Sequence, residues 1–581
     1  MPADLQELAR RHDALRQDRL SWEPDWRACA KQFLPRKVRV LEAGDETNRG
    51  GQLNELMDNT GVYAMRDLVS GLFGNLTPTT SPWFLVGLQD ETVERRPGVR
   101  AWLDEVQKRM RMVFSRSGLY NAMRALYGEL GTFGTGFMFV QPDDSVGMRF
   151  TTLTIGEYCL DTNEYGRVDT VFRTMDLTAR QVIRMFGYGK CPAQVQRESN
   201  HPSTPVQRFR VVHAVYPRDD NNPGKMDGKN KKFASVYWLE PSSGGTTKPN
   251  DGSGNFLLSE GGFDEFPGCG VRWDVTGNDV YGTSPAMQTR PACQMVQQMK
   301  LTALKAAHKE VDPPTVGPGN LKGMDLMPGG QTFVDNVGNG QAVYPAQQVR
   351  PQLQNTLLFI QAEQAQIKEG LFGNVLRTMM DNDRRQMTAR EVAAREAEKQ
   401  LLVSSLERMN DEFFIPLIDL AFTNMAKQDL LPPWPEEIAG KPIRVEMITL
   451  LAQAQKMGGT ARIDQFMGFI GQTAQLFPEM IDTVKVDEIA NDYADYLSLE
   501  ADEMRPQEER DAIRQGRAKA QQAQQQQAML EQAQAAAGTA KTLSETDAGT
   551  GADGERKNAL QTISSALAAG ANNQQQMRAQ Q

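Results

Sequence analysis

Two long helix-like stretches bracket a short segment rich in proline and glycine, and this arrangement constrains the fold more than any other feature of the chain. Ser284-Pro285 makes a helix start, because serine caps and proline suits the first turn. Pro291 is expected to interrupt or restart the helix, after which Ala292, Val296, Met299, Ala303 and Ala307 form one narrow stripe. The helix must stop by Val311, since Asp312 precedes Pro313-Pro314. Its length of about 19 residues would reach roughly 28 Å. A second helix follows Pro351, with Leu353, Leu357, Ile360, Ile367 and Leu371 on one face. Between them, residues 311–350 carry two β-like runs, Gln331–Val334 and Gln341–Tyr344, a hairpin-sized unit.

At 581 residues the chain exceeds one ordinary core, so several domains or one elongated subunit are expected. The first third reads as helical. Val62, Met65, Leu68, Val69, Leu72 and Phe73 recur at helical spacing, as do Trp102, Val106, Met110, Val113 and Phe114, and then Leu119, Met123, Leu126 and Leu130. Gly131–Gly136 reads as a helix-to-strand turn. Short β-like runs follow at Phe137–Val140, Met148–Leu153, Val168–Met175, Phe209–Tyr216, Phe233–Leu239 and Phe256–Ser259. A compact helix lies among them, with Thr178 as N-cap, Gln181 completing a capping box and Gly187 as terminator.

Beyond the helix pair, a loop over residues 373–387 precedes the capping box Thr388-Ala389-Arg390-Glu391. The long helix it opens should kink at Pro416. Ile443–Met447 is a strand candidate, and helical material runs from Leu450 to about Glu509. The last seventy or so residues shift to Gln, Ala and Gly and hold too few large apolar residues for a core of their own. They read as disordered or as a solvated helix that needs neighbours. The fold class is α+β, predominantly helical.

Several kinds of chemistry find no support. Five scattered cysteines never form C-x-x-C, and His12, His201, His213 and His308 never form a metal-binding pair, so no metal and no cofactor is expected. Neither a phosphate-cradling G-x-x-x-x-G-K-[ST] loop nor a G-x-S-x-G elbow occurs, so an enzyme is not expected. Asp143-Asp144 and Asp219-Asp220 lie in turn-like contexts, where Asp commonly serves backbone geometry. Trp83 and Phe84 read as core and not as a DNA-stacking pair. The opening residues lack an apolar signal-peptide core, and no run approaches a membrane span, so assembly in a cytoplasm is expected. A net charge of −9 fits a chain that binds no nucleic acid, or one that lets DNA slide past a repelling wall.

Five stretches then carry a specific resemblance: Leu76–Phe84 (LTPTTSPWF), Gly134–Val140 (GTGFMFV), Val280–Met287 (VYGTSPAM), Val311-Asp312-Pro313-Pro314 and Met387–Val392 (MTAREV). In order and spacing, over roughly residues 5–500, they resemble the head-to-tail connectors, or portals, of short-tailed phages. The resemblance implies a twelve-fold ring at one capsid vertex through which double-stranded DNA is packaged and ejected. It implies a portal fold: an α/β wing (residues 1–283), stem helices (284–310 and 351–372) around a small clip module (311–350), and a tunnel loop (373–387). A kinked wing helix with a returning strand (388–449), a helical crown (450–510) and the Gln/Ala-rich tail (511–581) would complete it. Partners implied are the terminase large subunit, tail adaptor proteins, scaffold and major capsid protein, with location in the virion and no membrane contact.

Within that layout, Arg377, Arg384 and Arg385 of the tunnel loop could ring the DNA, or could instead be solvated or paired with Asp381 and Asp383. Lys300, Lys305 and Lys309 could line the channel, the last two a turn apart, or could form intersubunit ion pairs or an outer solvated face. Leu321, Met324, Leu326 and Met327 could dock clip partners, or form an intersubunit clip core. The rival function is an acidic scaffold or tail component that binds only proteins.

Overall fold

A computed structural model of the chain describes residues 4–38, 56–94, 96–202, 207–219, 227–240, 256–311, 315–316, 344–345, 353–373, 407–438, 443–447 and 507–545. Shorter stretches are described within 463–493 and 547–564. The chain divides into two units, Met1–Ser498 and Leu499–Gln581.

The first unit opens with α1 (Leu5–Leu20), α2 (Glu23–Phe33) and α3 (Thr60–Leu76), followed by strand β1 (Phe84–Leu88). Next come α4 (Pro97–Arg116) and α5 (Leu119–Phe133). Helix α5 ends at Gly134, whose φ of +76° lets its N–H reach the Leu130 carbonyl at 2.9 Å before the chain turns into β2 (Thr135–Asp143). Then follow β3 (Gly147–Leu153), β4 (Tyr158–Thr162), β5 (Val168–Thr178), α6 (Ala179–Phe186), α7 (Ala193–Asn200), β6 (Arg208–Pro217), β7 (Phe233–Leu239), β8 (Phe256–Phe263) and β9 (Gly268–Arg272).

The expected runs Phe233–Leu239 and Ile443–Met447 are strands with those bounds, and the other five runs lie within longer strands. Strands β1, β4 and β9 were not anticipated. Glycines thin out the apolar signal of β9, and two of them are obligatory. A side chain at Gly268 would strike the Phe137 ring, and one at Gly270 would strike Val168.

Strands β4 to β8 form an antiparallel meander, while β3, β2 and β9 form a second sheet. Alternation sorts the meander's faces. Val212, Ala214, Ala234, Val236 and Trp238 bury against Leu5, Leu8 and Leu15 of α1. On the opposite face, Phe209, Val211 and Leu239 pack with Val182 and Val195 of α6 and α7. Farther along that face, Val171, Val215 and Phe233 meet Phe137 and Phe139 of the second sheet.

Between those two apolar patches runs a polar row, Arg173, His213 and Tyr237, matched across β5, β6 and β7. The Arg173 Nε–H donates to His213 Nδ1 at 3.0 Å, so the ring proton sits on Nε2 and faces Ser235 Oγ at 2.9 Å. Burial, and then the adjacent guanidinium, push the His213 pKa well below its usual value, so the ring is neutral. Two of the four histidines, His12 and His213, are buried.

The two long helices are α8 (Pro285–Val311) and α9 (Leu353–Gly370). Helix α8 runs through Pro291 without a break, for 27 residues or roughly 40 Å, longer than the sequence suggested. Pro291 lies in the second turn, so its missing N–H costs a single helical bond. Ala286 before it, and Cys293 and Val296 after it, bury in one core and hold both parts in line. Ser284 Oγ caps the helix by accepting from the Met287 N–H at 3.1 Å, and donates to the Thr132 carbonyl at 2.8 Å.

In the stretch between α8 and α9, β10 (Thr315–Val316) pairs with β11 (Tyr344–Pro345). The run Gln331–Val334, expected to form half of a hairpin, lies outside the described residues, as do Thr388–Glu391.

The irregularity expected at Pro416 takes the form of a π turn, Asn410–Phe414, just ahead of α10 (Ile415–Lys427). From that turn Glu412 faces the buried Arg272, with Nη2–Oε1 at 2.7 Å and Nε–Oε2 at 3.3 Å. Strand β12 (Ile443–Met447) returns to pair antiparallel with β1. Trp83 and Phe84 lie fully buried in the core joining α3, α4, α5, α8, α9 and α10.

The second unit contains α11 (Gln507–Glu545), a 39-residue helix with Met529 and Leu530 exposed.

Candidate DNA channel on the long helices

Helices α8 and α9 run antiparallel, as two contacts establish. Near the N-terminal end of α8, a side chain on Gly370 would strike Thr289. Two to three turns farther along, Lys300 of α8 and Gln364 of α9 meet on the same carboxylate, that of Asp58. The helix pair is thereby fixed to the segment that leads into α3.

Asp58 is only 6% exposed and its carboxylate is saturated. The Thr60 N–H donates to Oδ1 at 2.7 Å, while Gln364 Nε2 donates to Oδ2 at 2.7 Å beside the Lys300 ammonium. Burial alone would raise its pKa. The donors Lys300, Thr60 and Gln364 outweigh burial and hold the carboxyl below its ordinary value. Gln297 completes the joint, accepting the Met57 and Asp58 N–H groups at 2.8 and 2.9 Å and donating to the Asp58 carbonyl at 2.7 Å. Sequence reading missed Asp58, Gln297 and Gln364. The only local signal was the Asp58-Asn59-Thr60 turn chemistry ahead of the α3 periodicity.

The three expected channel lysines therefore divide. The charge of Lys300 is matched within the chain by Asp58. Lys305 and Lys309 are exposed, one turn apart near the C-terminal end of α8. The same end is apolar. Leu304 on α8 and Leu357, Leu358 and Phe359 on α9 are exposed, Phe359 by 64%. Three consecutive apolar residues span more than half of a helix circumference, and among the described residues nothing covers them. Of the expected stripe on α9, Ile360, Ile367 and Leu371 bury within the chain, whereas Leu357 faces out.

Arg377, Arg384 and Arg385, and the clip candidates Leu321, Met324, Leu326 and Met327, lie outside the described residues. Among the described residues no group of three or more His, Cys, Asp or Glu could hold a metal ion, and no helix is long and apolar enough to cross a membrane. All five cysteines are free and buried, and burial pushes the Cys29, Cys269 and Cys293 thiols up to about 12, far from a reactive thiolate.

The described residues form a mixed α/β body joined to an antiparallel pair of long helices. Residues 5–505 match the bacteriophage head to tail connecting protein family, and the chain belongs to it. It is 36% identical over 539 residues to the portal protein of Salmonella phage epsilon15, covering 92% of this chain and 94% of that one. Against the probable portal protein of Bordetella phage BPP-1, identity is 34% over 529 residues, covering 90% and 93%. A solved chain from the virion of a native gene transfer agent particle aligns at 12% identity over 71% of this chain and 86% of that one. Its TM-score of 0.30 lends the comparison no weight. The chain is thus a phage portal subunit, with the DNA-channel role general to portals.

Proposed function

We propose that this chain assembles as a closed, twelve-fold ring at one capsid vertex and conducts double-stranded DNA without catalysing a reaction. The observation that carries the ring is the uncovered apolar end of the helix pair, Leu304 with Leu357, Leu358 and Phe359. A neighbouring copy supplies the cover such a patch needs, and a heterologous contact repeated around an axis closes into a ring. Lys305 and Lys309, with Arg377, Arg384 and Arg385 of the loop after α9, then face the channel. Lys300 serves as a wing anchor.

A wall of net negative charge with few basic rings suits DNA that must keep moving, because each neutralised phosphate adds affinity that translocation has to break. The module over residues 311–350, with Leu321, Met324, Leu326 and Met327, docks the terminase large subunit during filling and tail adaptors afterwards. Scaffold and major capsid protein meet the subunit during assembly in the host cytoplasm. Negative-stain microscopy with native mass tests the proposal. Rings with a hole wide enough for a duplex and no ATP hydrolysis are expected. Monomers or open filaments persisting in the presence of scaffold and capsid protein would overturn it.

A further inference from the structure

Well before the long helices in the sequence, the α6–α7 hairpin concentrates positive charge on a chain whose net charge is −9. Arg180, Arg184, Lys190 and Arg197 face a single acid within the hairpin, Glu198. All four are exposed, and none forms an ion pair among the described residues. Asp176, four residues ahead of Arg180, is paired with Arg210 at 3.3 Å. Arg180 and Arg184 sit one turn apart on α6, a like-charge spacing that weakens a helix, so helix stability does not explain them.

The hairpin that displays these charges is rigid. Thr178 and Gln181 form a capping box at its start. Gln196 Nε2 donates to the Tyr188 and Cys191 carbonyls, both at 2.9 Å, and Asn200 Nδ2 reaches the Tyr188 hydroxyl at 3.3 Å. Val182 and Val195 anchor it to the sheet. Its outer surface lacks an apolar centre. Met185 follows Arg184 and Tyr188 lies two residues before Lys190, and each is about half exposed. Protein–protein contacts are depleted of charge at their centre, whereas phosphate contacts use unpaired Arg and Lys with an occasional aromatic.

We infer that the α6–α7 hairpin is a second nucleic-acid contact, one that grips the backbone of duplex DNA outside the channel through Arg180, Arg184, Lys190 and Arg197. The contact is non-sequence-specific, and because nothing has to slide past it, it is free to hold. This inference is independent of the channel assignment. It concerns a helical hairpin packed on the five-stranded sheet, remote in sequence from α8 and α9.

A covalently closed circular duplex separates the two surfaces, because a circle cannot thread a closed ring. Full-length protein is expected to retard a relaxed plasmid at low salt. Arg180→Gln/Arg184→Gln should weaken retention uniformly across sequences and lower the slope of log affinity on log salt by about 2. Arg149→Gln/Lys229→Gln removes the same charge from paired surface cations and should change neither. All four are exposed positions, and matching thermal melts verify that the variants are folded. Failure of the wild type to retain the circle, or unchanged retention by Arg180→Gln/Arg184→Gln, overturns the inference. So does loss of the circle in Lys305→Gln/Lys309→Gln instead, which assigns the contact to the helix pair. If poly-glutamate binds through the same arginines while the circle does not, the occupant is an acidic protein.

Discussion

Lys300, on the first long helix, meets the carboxylate of Asp58 on the segment entering α3, and Gln364 of the second long helix meets the same oxygen. One side chain ahead of α3 thus meets both helices. Asp58→Ala would strand Gln364 and leave the lysine, itself 35% exposed, to water. A loss of about 2 kcal/mol in the stability of the joint between this segment and the helix pair is expected. Lys300→Met should cost less, about 1 kcal/mol, because Gln364 and Thr60 still serve the carboxylate. Chemical denaturation with limited proteolysis of α8 and α9 measures both. The Asp58 pKa is depressed in the fold, so its contribution is present above the ordinary carboxylate range near 4 and lost as pH falls through and below it. Asp58→Asn should flatten that acid limb.

Glu129 has the opposite sign. It is fully buried, accepts the Ile155 N–H at 3.0 Å and pairs with Lys37. Burial still raises its pKa against that pairing. Folding therefore favours its protonated form, so stability declines as pH rises through the ordinary glutamate value towards the raised one. Glu129→Gln should remove this slope while keeping an acceptor for Ile155. Glu129→Ala should cost about 2 kcal/mol at neutral pH through the orphaned N–H. Thermal melts across pH 4 to 8 distinguish the two.

Gly134 carries two constraints at once, a φ of +76° and a position where a Cβ would land on the Gly282 carbonyl. Gly134→Ala is expected to cost about 3 kcal/mol and most of the soluble yield, combining left-handed strain with overpacking. Gly166 has nearly the same φ, +75°, but open space around it. Gly166→Ala should cost only about 1 kcal/mol, from strain alone.

Leu358→Glu/Phe359→Glu tests the assembly surface directly. Both side chains are exposed in the subunit, so its melting temperature should hold. Sedimentation should show ring formation lost, because each interface would bury charge without a partner. Intact rings would show that this end of α9 faces solvent.

What was legible in the sequence was local. The capping box Thr178–Gln181, the glycine stop at Gly134 and the stripes of α3, α4 and α5 are all set by residues within a turn of one another. What escaped was set at a distance. Strand β1 reads as an apolar run after Trp83, and only β12 makes it a strand. Asp58 looks like any turn aspartate until Lys300 and Gln364 come to it from more than 200 residues away. Pro291 seemed a helix break because periodicity carries no information about the core shared by Ala286, Cys293 and Val296. Of the candidate site, the basic residues on α8 could be located, yet periodicity did not separate the anchoring Lys300 from the solvent-facing Lys305 and Lys309. The wing core likewise told nothing of Arg180 and Arg184, because unpaired charge becomes visible only once every nearby carboxylate has been assigned.

The pairing of β1 with β12 also sets a timetable for the newborn chain. Leu88 waits for Ile443, some 355 residues later, before its ladder can close. At 5–20 residues per second that is roughly 20 to 70 s of synthesis. Throughout that interval β1 offers open edges beside Trp83 and Phe84, a ready template for a wrong strand from a nearby nascent chain. Many copies made at once from clustered messages would share this hazard. Chaperone demand and low-temperature expression should therefore govern soluble yield more strongly than the stability of the finished subunit does.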